Sequence, residues 1–86
     1  MALDFTGFDA IPEHTRGALE RYVEHRIQPG SFLYAVLVGD LYTAVERADS
    51  TNQRALVDIA QFIWRKLPGN IYGSAENVEN HLEGRS

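Results

Sequence analysis

Cysteine is absent from this chain of 86 residues, and the chain has one methionine, one tryptophan and three prolines. Without cysteine, neither a disulfide nor a thiolate-bound zinc ion can hold the fold together. The longest apolar run, residues 32–38, is far shorter than the about 20 apolar residues that cross a bilayer. No basic region followed by an apolar stretch opens the chain, so we expect no secretory signal and no membrane partner.

Positive charge is scarce as well. Eight Lys and Arg stand against 12 Asp and Glu, which gives a net charge of −4. The arginines are dispersed among acidic residues, for example at positions 16, 21, 26, 47, 54 and 65. Because a nucleic-acid interface needs positive charge gathered on one face, we do not expect nucleic acid as a partner.

The apolar run over 32–38 lies between Gly30 and Gly39 and is the predicted centre of the core. A buried β-strand is one interpretation, because Val36 and Val38 are β-branched. No second strand-like segment is available to pair with it, and an unpaired strand would leave its backbone groups without partners. We therefore predict a helix here, with Ser31 as its cap and Gly39 as its end.

Amphipathic segments separated by short polar breaks surround this run. The first begins with Pro12 in its first turn and continues to Arg26. Asp40 is the predicted cap of a short helix over 41–48, and Ser74 that of a last short helix. The sequence thus predicts an all-α, compact single-domain bundle of four to five short helices over 11–84. Residues 1–10 form an N-terminal arm, either mobile or with its two phenylalanines on a neighbouring surface.

The longest amphipathic segment runs from about residue 51 to 67, with Asp49 or Ser50 as cap. Its predicted core face consists of Ala55, Leu56, Ile59, Ala60, Ile63 and Leu67. Phe62 and Trp64 are placed on the flanks of that face. The stretch 79–81, which contains His81, is predicted to be solvated.

No catalytic or metal motif emerges from the sequence. The three histidines do not stand three or four residues apart, so a HExxH-type zinc helix is absent. We find no Ser/His/Asp set, no nucleophile elbow and no Gly-rich phosphate loop. The sequence therefore predicts a protein that is not an enzyme and that has no metal or cofactor.

Polar residues at the breaks between helices are the best candidates for a binding site. Asp40, Asp49 and Asn52 sit at such breaks, with Arg47 nearby in sequence. Short polar side chains serve there as helix caps, and that is one interpretation. The other is a groove in which Arg47 reaches an anionic partner. The aromatics Trp64 and Tyr72, with Tyr34 and Tyr42, are of a type enriched at interfaces, although core packing is the alternative for two or three of them.

Several of these residues belong to a pattern that resembles a family of small proteins of tailed bacteriophages and prophages. The pattern covers about residues 11–78 and begins Ile11-Pro12-x-His14-Thr15-x-x-Ala18-Leu19-x-x-Tyr22-Val23. It continues Pro29-Gly30-x-Phe32-Leu33-x-Ala35-Val36-Leu37-x-x-Asp40-Leu41, then Ala44, Ala48-Asp49, Asn52, Leu56, Ile59, Pro68 and Gly73-Ser74. The family commonly has Asn at the position of Gly39 and Trp at that of Tyr72. If the 39–40 and 72–74 turns form a shared ligand site, it is altered in this chain.

The resemblance implies a phage origin and the host cytoplasm as the place of action. We therefore expect an accessory protein that binds a bacterial host protein, such as a defence factor, and inhibits or redirects it. The alternative is a homo-oligomer that sequesters a small nucleotide-like anion with Arg16, Arg47 or Arg54. A structural component of the virion is a third hypothesis.

Overall fold

The computed structural model describes residues 3–84 and confirms the predicted all-α bundle. Its elements are α1 (Glu13–His25), α2 (Ser31–Val38), α3 (Leu41–Arg47), α4 (Ser50–Lys66), a 3₁₀ helix (Gly69–Ile71) and α5 (Ala75–Leu82). The described residues contain no β-strand. The apolar run at 32–38 is therefore helical, and its last carbonyls find partners beyond the helix, since the Ala35 carbonyl accepts from the Asp40 N–H at 2.8 Å.

Side-chain caps begin three of the helices where the sequence predicts them. Asp40, Asp49 and Ser74 accept hydrogen bonds from the backbone N–H groups of Thr43, Asn52 and Asn77, at 3.1, 2.7 and 3.1 Å. Each bond satisfies one of the donors that a helix start leaves free. Gly39 ends α2 in the left-handed region with φ of 87°, a conformation that costs glycine little.

Two predicted helix starts are wrong by one residue. Ser31 is the first residue of α2 and not its cap, which is Gly30 and makes no side-chain hydrogen bond. Pro12 precedes α1 instead of lying in its first turn, with an extended backbone at ψ of 150°. The Pro12 carbonyl accepts from the N–H groups of Thr15 and Arg16, both at 3.0 Å. Pro12 therefore fixes the direction in which the chain enters α1. Its missing backbone N–H costs nothing there, because this position does not need a donor.

One face of each major helix packs into the core. α2 contributes Phe32, Leu33, Ala35 and Leu37 and packs against α3 and α5. α4 contributes Asn52, Ala55, Ile59, Phe62 and Ile63. The predicted face of α4 is partly wrong, because Phe62 is fully buried whereas Ala60 is exposed. The buried side of α4 is thus rotated toward Phe62.

The N-terminal segment explains that rotation. Phe5 stacks on Phe62 with the ring centroids 4.4 Å apart, and Phe8 meets the same ring edge-on at 5.3 Å. Arg16 holds the segment in place, since its guanidinium donates to the carbonyls of Ile11 and Asp9 at 2.9 and 3.0 Å. The same guanidinium lies 5.5 Å from the centre of the Phe5 ring. Both phenylalanines therefore lie on a neighbouring surface, which is the side of α4.

The C-terminal helix is held by a buried histidine. His81 is buried, so its predicted solvated position is wrong. Its Nε2 lies 2.7 Å from the Tyr22 carbonyl oxygen, which can only accept, so Nε2 carries the proton. Arg26 donates to the His81 carbonyl at 2.7 Å, and the Tyr22 hydroxyl donates to the Ile71 carbonyl at 2.7 Å. These bonds tie α1 to both C-terminal elements.

Candidate functional site

The six residues predicted for binding lie in three separate places rather than in one groove. Asp40 and Arg47 line a hollow of about 390 Å³ beside α2 and α3. Asp49 and Asn52 begin α4 and face α1. Trp64 and Tyr72 lie near the end of α4, where the Tyr72 hydroxyl donates to the Trp64 carbonyl at 3.2 Å.

The first place is built around a helix cap. The Asp40 carboxylate accepts from both the hydroxyl and the N–H of Thr43, at 2.6 and 3.1 Å. These two hydrogen bonds lower the pKa of the Asp40 carboxyl, because they stabilise its charged form. Arg47 is exposed and forms no ion pair with any residue in 3–84. The hollow therefore offers an anion one guanidinium without an ion-pair partner, that of Arg47. The Asp40 carboxylate in the same hollow would repel the anion.

The second place is a hydrogen-bonded cluster that joins the starts of α1 and α4. The Thr15 hydroxyl donates to Asn52 Oδ1 at 2.7 Å in the protein interior. His14 Nε2 lies 3.6 Å from the Asp49 carboxylate and 3.5 Å from Asn52 Nδ2. Thr15 thus gives its proton to an amide oxygen and not to the imidazole. The contact between nucleophile and base that a hydroxyl catalyst requires is not made.

We expect Asn52→Ala to lower the free energy of unfolding by about 1–3 kcal/mol, because it leaves the buried Thr15 hydroxyl without an acceptor. Urea denaturation of the variant measures this loss. In the control, Thr15→Val is added to Asn52→Ala and should recover part of it, since no buried donor is then unpaired. If the double variant recovered no stability, the Thr15–Asn52 hydrogen bond would not explain the loss.

Apart from these three places, an apolar groove with a volume of about 340 Å³ lies between α3 and α4. Its lining residues are Val36, Gly39, Leu41, Ala44, Leu56, Val57, Ala60 and Gln61. Gln61 is the one polar side chain among them, and none is charged. The Gly39 turn forms one end of the groove, and there the Gly73 N–H donates to the Leu37 carbonyl at 2.7 Å. The 39–40 and 72–74 turns are therefore neighbours.

Large apolar side chains continue the groove onto the open surface. Trp64, Val57 and Leu41 are 69%, 67% and 60% exposed. Tyr42 and Val45 on α3 are exposed too. Of the six large apolar side chains exposed in residues 3–84, only Ile27 lies away from α3 and α4. We call Leu41, Val45, Val57, Ala60 and Trp64 the apolar face.

The exposed side of α4 has a regular spacing that sequence reasoning missed. Gln53, Val57, Ala60 and Trp64 are all exposed and stand four, three and four residues apart. That spacing places them along one side of the helix, as in the contact line of a coiled coil. We call these four residues the α4 seam. Both sides of α4 are apolar in part, so periodicity alone could not tell the seam from the core.

Neither a metal site nor a membrane span accompanies this surface. Within residues 3–84, no three His, Asp or Glu side chains are grouped so that they could share a metal ion. Over the same part of the chain, no helix combines the length and apolar character needed to cross a membrane. Comparison of the chain with protein-family models, with curated proteins and with solved structures found no match.

Proposed function

We propose that this protein is a non-catalytic accessory protein that binds a bacterial host protein through the apolar face and thereby inhibits or redirects it. The observation that carries the proposal is the exposure of Trp64 on α4, one helical turn from Ala60 and Gln61, which line an uncharged groove. Large exposed apolar patches mark interaction sites, and tryptophan is enriched among the residues that dominate binding energy. The resemblance to phage proteins supplies the bacterial partner and the host cytoplasm.

We infer that a helical segment of the host protein is the bound element, because the groove has an uncharged, mostly apolar lining. Amphipathic helices dock by placing apolar side chains, spaced three and four residues apart, into such grooves. Leu41 on α3 and Val57 on α4 would contact the two sides of that helix. Trp64 would cover its end. Nothing in this mode requires a bond to be broken, which agrees with the bonding of Thr15 to Asn52 instead of His14.

Capture from bacterial lysate, followed by reconstitution, tests the proposal. Tagged wild type, Trp64→Ala and Ile27→Ala are compared, because Ile27 is a large exposed apolar residue off the apolar face. We expect one protein to be retained by wild type and Ile27→Ala and lost with Trp64→Ala. With that protein purified, Trp64→Ala should weaken the affinity about thirtyfold, the effect of losing a dominant contact.

Two results would overturn the proposal. One is a captured protein that binds Trp64→Ala as tightly as wild type. The other is the absence of any specifically retained protein at both low and high salt. A large thermal stabilisation by a nucleotide, unchanged in Trp64→Ala, would instead favour sequestration of an anion. Arg16 is poorly placed for that role, because backbone carbonyls already occupy its guanidinium.

A further inference from the structure

We propose that a second copy of this chain covers the α4 seam, so that the free protein is a two-fold symmetric dimer with its α4 helices antiparallel. The proposal goes beyond the proposed function, because it requires no host protein. It rests on the spacing and the side-chain sizes along the exposed side of α4, which favour a copy of the same helix.

The spacing of the seam matches a helix as its partner. Gln53, Val57, Ala60 and Trp64 follow the four-three-four pattern with which one helix contacts another over about two heptads. The small side chain of Ala60 lies in the middle of the 17-residue helix α4 and leaves room for a second backbone to approach. An isolated surface tryptophan would need no such pattern on either side of it.

Side-chain sizes along the seam are complementary to the same seam reversed. In an antiparallel pair centred between positions 58 and 59, Val57 of one copy lies opposite Ala60 of the other. Trp64 then lies opposite Gln53 of the second copy, whose amide offers a flat surface to the indole ring. Every large residue thus meets a smaller or flatter one, and the two-fold axis repeats each contact.

The polar residues next to the seam fit antiparallel pairing. Arg54 and Gln61 each follow a seam residue in sequence, and both are exposed. Antiparallel pairing puts Arg54 of one copy beside Gln61 of the other, where the guanidinium can donate to the amide oxygen. Antiparallel helices also place opposite ends of their dipoles together.

The area of the apolar face fits a weak dimer. One large aromatic side chain alone accounts for about 150–250 Å² of buried surface. With Val57, Leu41 and Val45 added, the buried area is on the order of 500 Å² for each copy, or roughly 1,000 Å² in total, the lower limit for a specific interface. Such a dimer dissociates readily, so a host protein that binds the apolar face would compete with the second copy.

Sedimentation equilibrium and tryptophan fluorescence of the purified chain test the dimer. Trp64 is the only tryptophan, so its emission reports on the seam alone. Between micromolar and millimolar concentration we expect the mass to rise from one chain to two. Over the same range the emission of Trp64 should move to shorter wavelength and quenching by iodide should fall, since the indole leaves water.

Two charge variants one residue apart make the test specific. Ala60→Glu puts a carboxylate at the centre of the seam and should weaken association about a hundredfold, because the charge is buried unpaired. Gln61→Glu adds the same charge beside Arg54 of the second copy and should leave association unchanged or strengthen it. Both sites are exposed, and unfolding curves of the two monomers should match that of the wild type.

A single-chain mass up to millimolar concentration would overturn the dimer, as would a dimer that Ala60→Glu leaves intact. Equal weakening by both variants would overturn the antiparallel arrangement. These results are independent of host binding. A monomer that still captures a host protein through Trp64 refutes only the dimer, and a seam-dependent dimer that captures nothing refutes only the proposed function.

Discussion

Replacing Phe62 with alanine is expected to lower the free energy of unfolding by about 3–5 kcal/mol, the range for removing a buried phenylalanine. Phe62 is fully buried in α4, and its ring contacts the rings of Phe5 and Phe8. Removing it leaves a cavity and also separates the N-terminal segment from the helix. A small domain has only about 5–15 kcal/mol of stability in total, so a large part of it would be lost. Urea denaturation followed by circular dichroism measures the loss.

Phe5→Ala is the matched control for this variant. It removes the other ring of the stacked pair, but from a half-buried position at the edge of the core. We expect it to cost clearly less than Phe62→Ala, because solvent and nearby side chains can fill the space. If Phe62→Ala cost no more than Phe5→Ala, the phenylalanine cluster would not be the main support of the N-terminal segment.

The second large effect is a loss of stability at alkaline pH. Burial raises the pKa of the Tyr22 hydroxyl to about 12, and the negative charge of Glu79 and the nearby Tyr34 add to this rise. In the unfolded chain a tyrosine titrates near pH 10. The folded state therefore holds the proton more tightly, so its full stability is present below about pH 10 and is lost as the pH rises toward 12. The loss over that range is roughly 2–3 kcal/mol.

Urea denaturation at about pH 8 and about pH 11 measures the first half of this loss, about 1.4 kcal/mol, and Tyr22→Phe is its control. The variant gives up the hydrogen bond to the Ile71 carbonyl, so we expect it to be less stable by about 1 kcal/mol at neutral pH. Its stability should fall less steeply with pH. The fall of stability with pH that remains in this variant comes from Tyr34, because its hydrogen bond to Glu79 raises the pKa of the Tyr34 hydroxyl. An unchanged slope in Tyr22→Phe would contradict the assignment.

The helices and most of their boundaries could be predicted because they depend on neighbours in sequence. Asp40, Asp49 and Ser74 act as caps through bonds to residues three positions later, a relation that the sequence contains in full. Gly39 is similar, because a left-handed helix end favours glycine. The errors at Pro12 and Ser31 are shifts of one position.

The exposed surface could not be predicted in this way, because it depends on contacts between distant residues. α4 has apolar residues on more than one side, and the packing of Phe5 and Phe8 on Phe62 decides which side is buried. Ala60, predicted for the core, is exposed as a result. His81 was missed for a similar reason, since its partner Tyr22 is 59 positions away. Trp64 is the one predicted site residue that belongs to the apolar face.

The position of the N-terminal segment determines how the protein can be immobilised. Phe62 differs from Ala60 and Trp64 by two positions, or about 200° around the helix, so the segment bound to Phe62 approaches α4 from behind the seam. A linker attached to the segment at Phe5 or Phe8 would start from that rear side. Tethering the chain to a sensor chip by such a linker should leave Trp64 facing the flowing solution.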